Sequence, residues 1–132
     1  QLKYLDIAKD WVGNNDKSLR IMYLTFAQHS NSLSEEIKNN LHNELVDYTS
    51  PKHESSIRQN ALEAALNVNP FDEEVLKNLI NGTTHFKWQF SKYSKDRIRE
   101  LIKNTQYQLL FKSISLNIPV NEQLQLKKII GD

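Results

Sequence analysis

The sequence predicts an all-α fold in which helical hairpins stack into an α-α superhelix of about eight helices. The first observation is helical spacing, since between Ser56 and Leu66 the apolar residues stand at 57, 61, 62, 65 and 66. The second is a repeat, because shifting the chain by 38 residues aligns ten identities within positions 18–43. The third is that no stretch alternates apolar and polar residues between turn signals, as a strand would.

Length and composition predict a single helical-repeat domain over residues 1–132. The net charge is +1, from 17 basic and 16 acidic residues, which gives no general argument for nucleic acid or an anionic membrane as partner. There is no Cys, and no apolar run is long enough to span a membrane. Because the helical pattern starts at Gln1 without a cap signal, we expect the chain to be the C-terminal part of a longer protein. Nothing in the sequence indicates a compartment.

Three helices are predicted before Ser50. Residues 2–12 form an amphipathic helix that ends at Gly13, and its inward residues are Leu5, Ala8, Trp11 and Val12. Asn15 or Asp16 is expected to cap a second helix, about residues 17–29. The residues it is expected to bury are Leu19, Tyr23, Leu24, Phe26 and Ala27. A third helix opens at Ser34 and runs to residue 48, with a face of Ile37, Leu41, Leu45 and Tyr48.

A fourth helix is predicted from Pro51, or from about Glu54, to Val68, because Pro suits the first turn. The turn that follows ends in Asp72, which is expected to cap a fifth helix over residues 73–81. Gly82 is expected to end that helix. The fifth helix is expected to bury Val75, Leu76, Leu79 and Ile80.

Three further helices are predicted after Gly82. Thr83 or Thr84 is expected to cap a long helix over about 86–103. The inward residues of this sixth helix are Phe90, Ile98, Leu101 and Ile102. The seventh helix begins at Thr105 and contains Tyr107, Leu109, Leu110, Phe111 and Ile114. The eighth begins at Pro119, contains Leu124, Leu126, Ile129 and Ile130, and ends at Gly131.

Two stretches share a pattern: Asp16-x-x-Leu19-Arg20-x-x-x-Leu24-x-x-Ala27 and Ile57-Arg58-x-x-Ala61-Leu62-x-x-Ala65-Leu66. The pattern resembles the second helix of a HEAT repeat, of the HEAT/armadillo type, with an aliphatic-Arg pair near its start and small residues one turn on. The resemblance covers about residues 1–104. It implies hairpins of 2–12 with 16–29, 34–48 with 54–68, and 73–81 with 86–103. The third hairpin departs from the pattern, since Trp88-Gln89-Phe90 stands where the aliphatic-Arg pair belongs. Arrays of this type bind many kinds of partner.

The stretch from Ile98 to Phe111 is similar to the end of a second family, the helical C-terminal domain of zinc metallopeptidases of the aminopeptidase N type. It reads Ile-Arg-Glu-Leu-Ile-Lys-Asn-Thr-Gln-Tyr-Gln-Leu-Leu-Phe. Some members of that family end in HEAT-like repeats. The resemblance implies a lid or wall over a catalytic site on an upstream domain, and it implies no chemistry in this chain.

No catalytic or metal motif is complete. A zinc peptidase motif needs a second His one turn after the first, but His53-Glu54 is followed by Ser55, Ser56 and Ile57. The four histidines, at 29, 42, 53 and 85, lack ligand spacing, and each is expected at a surface or helix end. We therefore expect no cofactor and no metal. Asn81-Gly82-Thr83 matches a glycosylation acceptor, although a helix stop followed by a cap explains it better.

The candidate binding surface is on the sixth helix. Trp88, Lys92, Lys95 and Arg99 stand at spacings of 4, 3 and 4, which places them in one stripe. A Trp with three cations can hold a carboxylate, a phosphate or an acidic protein surface. The alternative is a solvated face, with Trp88 packed at the edge of the core.

Other residues of interest are expected to be structural. Arg20 and Arg58 are predicted to pair with a carboxylate or carbonyl between adjacent hairpins. Phe86, Tyr93 and Arg97 share a second strip on the sixth helix, which is predicted to pack against the seventh.

Three functions are compatible with these features. The first is a non-catalytic helical-repeat domain that binds a protein or peptide, or that packs on its own upstream catalytic domain. The second is an enzyme in its own right, such as a HEAT-type DNA glycosylase. The third is a nucleic-acid-binding module without chemistry. The second needs a basic concave face, several Trp or Tyr beside a catalytic Asp and a larger array, and the neutral charge balance and the short chain argue against it. The third depends on the stripe of Trp88, Lys92, Lys95 and Arg99 alone.

Overall fold

The computed structural model describes residues 14–131. In that part of the chain seven α-helices and one short 3-10 helix form, without any strand, which confirms the all-α class. The helices are α1 (Asn14–Gln28), α2 (Glu35–Tyr48), α3 (Ser55–Val68), α4 (Glu73–Gly82), α5 (Trp88–Leu101), α6 (Thr105–Ile114) and α7 (Val120–Ile130), and Ser115–Asn117 form the 3-10 helix. The predicted helix over 2–12, with Leu5, Ala8, Trp11, Val12 and Gly13, lies outside the described residues.

The chain divides into two compact units, with the boundary between Pro70 and Phe71. The single domain over 1–132 and the superhelix stay predictions. In unit one, α1, α2 and α3 each pack on the other two. The repeat-related Leu24 and Leu62 are both fully buried, on α1 and α3. The rest of the unit one core consists of Ile21, Ala27, Leu45, Ile57, Ala61, Ala65 and Leu66.

The inward face of α1 differs from the prediction. Tyr23 and Phe26 were expected to be buried, but they are 46% and 69% exposed. Ile21 takes their place in the core, so that the buried face of α1 follows Ile21, Leu24 and Ala27. The helix is apolar on more than one side, and its spacing alone therefore does not select a face.

At repeat-related positions, the buried residues of α2 and α4 match only in part. Leu79 is fully buried as predicted, whereas its repeat-related partner Leu41 is half-buried. Ile37, also predicted to face inward, is exposed, and Leu45 is the fully buried residue of α2. The end of α2 that carries Leu45 is therefore the end that packs into unit one.

Unit two is built around α4, which packs against α5, α6 and α7. All four of its predicted inward residues are fully buried. The other helices contribute Phe90, Ile98, Tyr107, Phe111, Ile114, Ile118 and Leu126 to this core. Leu101 and Ile102 were predicted to face inward and are half-buried, while Leu109 and Leu124 are exposed.

Gly82 lets α4 approach α5 closely. A Cβ at this position would collide with the Ser94 hydroxyl and lie 3.0 Å from a ring carbon of Phe90. At the same crossing, the Ser91 hydroxyl donates to the Thr83 carbonyl at 2.8 Å. Gly82 itself is the last residue of α4, and it lacks the positive φ that Gly131 has after α7 (81°). Its lack of a side chain is therefore used for packing, and only Gly131 ends its helix through glycine conformation.

The predicted helix starts hold where a side chain caps the helix. Ser34 accepts from the Ile37 amide, and Asp72 accepts from the Glu74 and Val75 amides. The predicted cap at Thr83 or Thr84 is wrong. Both threonine hydroxyls donate backward, to the Ile80 and Asn81 carbonyls, and thereby close α4. The position before α5 is Lys87, whose side chain makes no capping bond.

The predicted start of α1 is also wrong. Asn15 or Asp16 was expected to cap this helix, but both residues lie within it. Asp16 therefore lies within the first turn, where a carboxylate interacts favourably with the positive end of the helix dipole.

Candidate functional site

Helix α5 presents two different sides. Phe90, Ser91, Ser94 and Ile98 are buried and form its inner side. The predicted stripe of Trp88, Lys92, Lys95 and Arg99 lies away from that side. Trp88 is 67% exposed, Lys92 and Arg99 are exposed, and Lys95 is half-buried. The stripe therefore lies on the solvent side of α5, and most of the Trp88 side chain is exposed.

Asp96 adds a carboxylate to the stripe that sequence reasoning missed. Lys92 Nζ lies 2.6 Å from one of its oxygens, and Arg99 Nη1 donates to the other at 2.9 Å. The hydrogen bond from Lys92, followed by the charges of Lys92 and Arg99, lowers the pKa of Asp96. The spacings of i+4 from Lys92 and i−3 from Arg99 could have predicted both pairs. Asp96 thus pairs with two of the three cations and offsets one of their positive charges, which reduces the pull of this surface on a phosphate.

Phe86 stands beside Trp88 at the start of α5 and is 86% exposed. Its ring stacks on His85 at 4.5 Å between centroids, and His85 meets the buried Phe90 edge-on at 5.1 Å. The Lys87 amide donates to His85 Nδ1 at 3.0 Å, which orients the imidazole. A buried aromatic residue and a backbone bond therefore hold His85, and His85 in turn supports the exposed Phe86 ring.

The predicted second strip on α5 is wrong at Phe86, which faces solvent instead of packing on α6. Tyr93 is half-buried and stacks on Phe90 at 6.0 Å. Arg97, also half-buried, lies close enough to Tyr107 of α6 to act on its ionisation. Burial raises the pKa of Tyr107, and the charge of Arg97 opposes that rise.

The two repeat-related arginines pair with a carboxylate and a carbonyl, as predicted, but the Thr49 carbonyl lies in the loop of the predicted hairpin that contains Arg58 and not in an adjacent hairpin. Arg20 forms two hydrogen bonds with Glu44 of α2, Nε to Oε2 at 2.6 Å and Nη2 to Oε1 at 2.7 Å. The bond to Glu44 is the main reason that the pKa of Arg20 is raised. Arg58 is fully buried, and its Nε donates to the Thr49 carbonyl at 2.9 Å.

His53 lies just before the start of α3, at a helix end as expected, but its side chain is mostly covered and connects parts of unit one. Its Nε2 lies 3.2 Å from Asp47 Oδ2, its Nδ1 lies 3.5 Å from Lys17 Nζ, and its ring is 5.0 Å from that of Tyr48. An Asp–His pair can serve as a general base, but here both ring nitrogens already link α1 and α2 to the loop before α3. The hydrogen bond from Lys52 is the main cause that lowers the pKa of Asp47, and the bond to His53 adds to it. Between residues 14 and 131, no three potential metal-ligating side chains lie together.

The glycosylation motif at Asn81 is sequestered. Asn81 Nδ2 donates to Glu122 Oε2 at 3.0 Å, and the Glu122 side chain is buried. Thr83, the third residue of the motif, is buried, with its hydroxyl directed at the Ile80 carbonyl. A folded chain therefore cannot present this motif to a glycosylating enzyme, which supports the structural interpretation.

Comparison of the chain with protein-family models, with curated proteins and with solved structures gives no match. Within the part of the chain that the structure covers, no helix is both long and apolar enough to cross a bilayer. The functional argument therefore rests on the surface of the protein itself.

Proposed function

We propose that this chain is a non-catalytic helical-repeat domain that binds a protein or peptide partner, or packs on a catalytic domain of its own parent protein. The contact would be made by the Trp88 surface, which consists of Phe86, Trp88, Lys92, Lys95 and Arg99. The observation that carries the proposal is the exposure of two large aromatic side chains, Phe86 and Trp88, within three residues of each other.

Two exposed aromatic rings so close together favour an interaction surface over a solvated face. Burying an apolar side chain of this size contributes about 1.5–3 kcal/mol of stabilisation, and a ring that stays exposed to water does not contribute it. Trp is also among the residues most enriched at binding hot spots. The backing of Phe86 by His85 and Phe90 supports this interpretation, because a pre-positioned ring loses less entropy on binding.

The charges on this surface favour a protein partner over nucleic acid. Phosphate binding depends on cations that displace counterions from the nucleic acid, and Asp96 already pairs with Lys92 and Arg99 and offsets one of their charges. The remaining role of these cations is to set orientation and association rate. A nucleic-acid-binding or DNA-repair function has no observation in its favour.

The proposal extends to the superhelix and to the parent protein in which this domain would lie. In a HEAT-like superhelix, α5 would be the second helix of the third hairpin, and the Trp88 surface would line the concave side. In the aminopeptidase setting, that side would face the substrate channel. This second setting rests on the resemblance of residues 98–111 alone.

A photo-crosslinking amino acid at position 88 of the parent protein tests the proposal. The matched control carries it at position 60, where Asn60 is exposed on α3 in unit one. We expect position 88 to give one recurrent adduct, either to a second protein or to another part of the same chain. Phe86→Ser should reduce the yield of that adduct without changing the control.

Equal yields at positions 88 and 60, or adducts without a recurrent partner, would contradict a binding role for the Trp88 surface. Tight binding of the purified chain to duplex DNA, falling steeply with salt, would instead favour the nucleic-acid function.

A further inference from the structure

A second surface of unit two combines an apolar groove with lysines. The groove has a volume of about 540 Å³ and lies between α6, the 3-10 helix and α7. The buried Phe111 and Leu126 line it, and Leu116 stands at its edge with 79% of its surface exposed. Lys112 and Lys127 also line it. Its volume lies within the range of about 300–1,000 Å³ found for ligand pockets.

The apolar character continues beyond the groove along both helices. Leu109 and Leu116 are exposed, and they flank Lys112 at spacings of 3 and 4 along α6 and the 3-10 helix. On α7, the exposed Val120 and Leu124 precede Lys127 at spacings of 7 and 3. Each helix thus carries a stripe in which leucine or valine alternates with lysine on one side.

The exposed charged residues of this region are all lysines. Between residues 105 and 131 the charged residues are Lys112, Glu122, Lys127 and Lys128. The three lysines are exposed, and Glu122 is buried and accepts from Asn81. The near-neutral charge of the whole chain therefore conceals a stretch, residues 105–131, in which the exposed charges are all lysines.

We propose that this α6–α7 groove binds an amphipathic helix of a partner protein that carries Asp or Glu beside its apolar stripe. The apolar floor accepts the partner's apolar side chains, and the lysines pair with its carboxylates. The buried Phe111 and Leu126 form the floor of the groove, which suits the insertion of an apolar side chain from a partner helix. The α6–α7 groove shares no residue with the Trp88 surface, and either proposal can fail without the other.

A displayed library of helix-forming peptides tests the proposal on the full chain. Each peptide keeps Leu at helical spacing and carries Glu or Lys at random in the flanking positions. We expect selected peptides to contain Glu in preference to Lys. Leu116→Glu and Lys112→Glu should each weaken binding of a selected peptide at least about tenfold.

Matched variants separate the groove from general charge and from folding. Lys103→Glu makes the same charge change as Lys112→Glu at an exposed position outside the groove, and Met22→Ser removes an exposed apolar side chain from unit one. Both should leave peptide affinity within about twofold. Because Leu116 and Lys112 are exposed, their variants should melt like the original chain.

A charge swap gives the sharpest readout. Selection on the Lys112→Glu variant should shift the preferred peptides from Glu towards Lys next to the apolar stripe. Peptides selected equally with Glu or Lys, or bound equally by the Leu116→Glu variant, would overturn the proposal. Binding to vesicles that contain anionic phospholipid, lost on Leu116→Glu and without any peptide selection, would replace the partner helix with a membrane surface.

Discussion

Arg20 and Arg58 occupy equivalent positions of the 38-residue repeat and nevertheless contribute differently to stability. Arg20 is partly exposed and pairs with an equally exposed Glu44. Exposed ion pairs gain little, because water competes for both charges. Arg58 is fully buried and donates to a buried backbone carbonyl, that of Thr49. Removing such a donor takes a hydrogen bond from a group that water cannot reach.

We therefore predict that Arg58→Met lowers the free energy of unfolding by about 1–3 kcal/mol. Arg20→Met, the matched change at the exposed pair, should cost about 1 kcal/mol or less. Urea unfolding of both variants measures the difference. Equal losses would show that burial of the Arg58 guanidinium does not decide its contribution.

The crossing of α4 and α5 gives a second prediction at this scale. Gly82→Ala places a methyl group against Ser94 and Phe90, and should cost about 1–3 kcal/mol through overpacking. The Ser94 hydroxyl is buried without a hydrogen-bond partner among the described residues, so Ser94→Ala should be neutral or stabilising. In a double-mutant cycle, Gly82→Ala should cost less when residue 94 is already Ala. Additive effects would contradict the contact.

The carboxylate of Asp47 gives a prediction about pH. Its pKa is lowered in the folded chain, chiefly by the bond from Lys52, so its stabilising effect is present above the ordinary Asp pKa of about 3.9. That effect is lost as pH falls through the lowered value. Asp47→Asn should therefore destabilise the chain at neutral pH, by about 1 kcal/mol or less because the pair is partly exposed. The difference should disappear in strong acid. Unfolding at both pH values measures it, and a constant difference would exclude ionisation as its cause.

At the scale of the elements, helix existence was predictable because each described helix has its own local signals. Where a capping side chain precedes the helix, as at Ser34 and Asp72, the predicted start also held. It failed before α5, where the threonines bond backward and no side chain caps the start. The buried face of α1 was not predictable, since apolar residues occupy more than one of its sides and the neighbouring helices select among them.

The candidate site, like the helices, could be predicted from the sequence only in part. Spacing placed Trp88, Lys92, Lys95 and Arg99 on one side of α5, and the structure keeps that side away from the core. The pairing by Asp96 followed from local spacing and was missed. The exposure of Phe86 and the α6–α7 groove depend on how the elements of unit two pack, which helical spacing alone does not predict.

Helix α5 allows a matched test of its two sides. Trp88→Ala should change the free energy of unfolding by about 0.5 kcal/mol or less, because an exposed side chain loses few contacts. Phe90→Ala, two residues on, should cost about 3–5 kcal/mol, because the ring is buried. Thermal and urea unfolding give both values. A loss of several kcal/mol for Trp88→Ala would mean that this ring stabilises the fold, and it would weaken the proposed binding role.

At the scale of the whole molecule, a balanced total charge conceals an uneven distribution. The chain as a whole carries +1, whereas the exposed charges between residues 105 and 131 are all lysines. On α5, by contrast, Asp96 pairs with two cations of the same helix and offsets one of their charges. The Trp88 surface and the α6–α7 groove therefore differ in electrostatic character, and we expect salt to weaken binding at the groove more than at the Trp88 surface.

The two compact units lead to the last prediction. Each unit has its own fully buried residues, among them Leu62 in unit one and Leu79 in unit two. Replacing a buried Leu by Ala costs about 2–5 kcal/mol, and in a repeat-like chain that loss is felt first by its immediate neighbours. Leu62→Ala should therefore accelerate amide hydrogen exchange mainly in residues 14–70, and Leu79→Ala mainly in residues 71–131. Exchange measured on the full chain with residue resolution tests this. If either variant accelerates exchange equally across both ranges, the units unfold together, and the prediction of one domain over 1–132 describes the chain better.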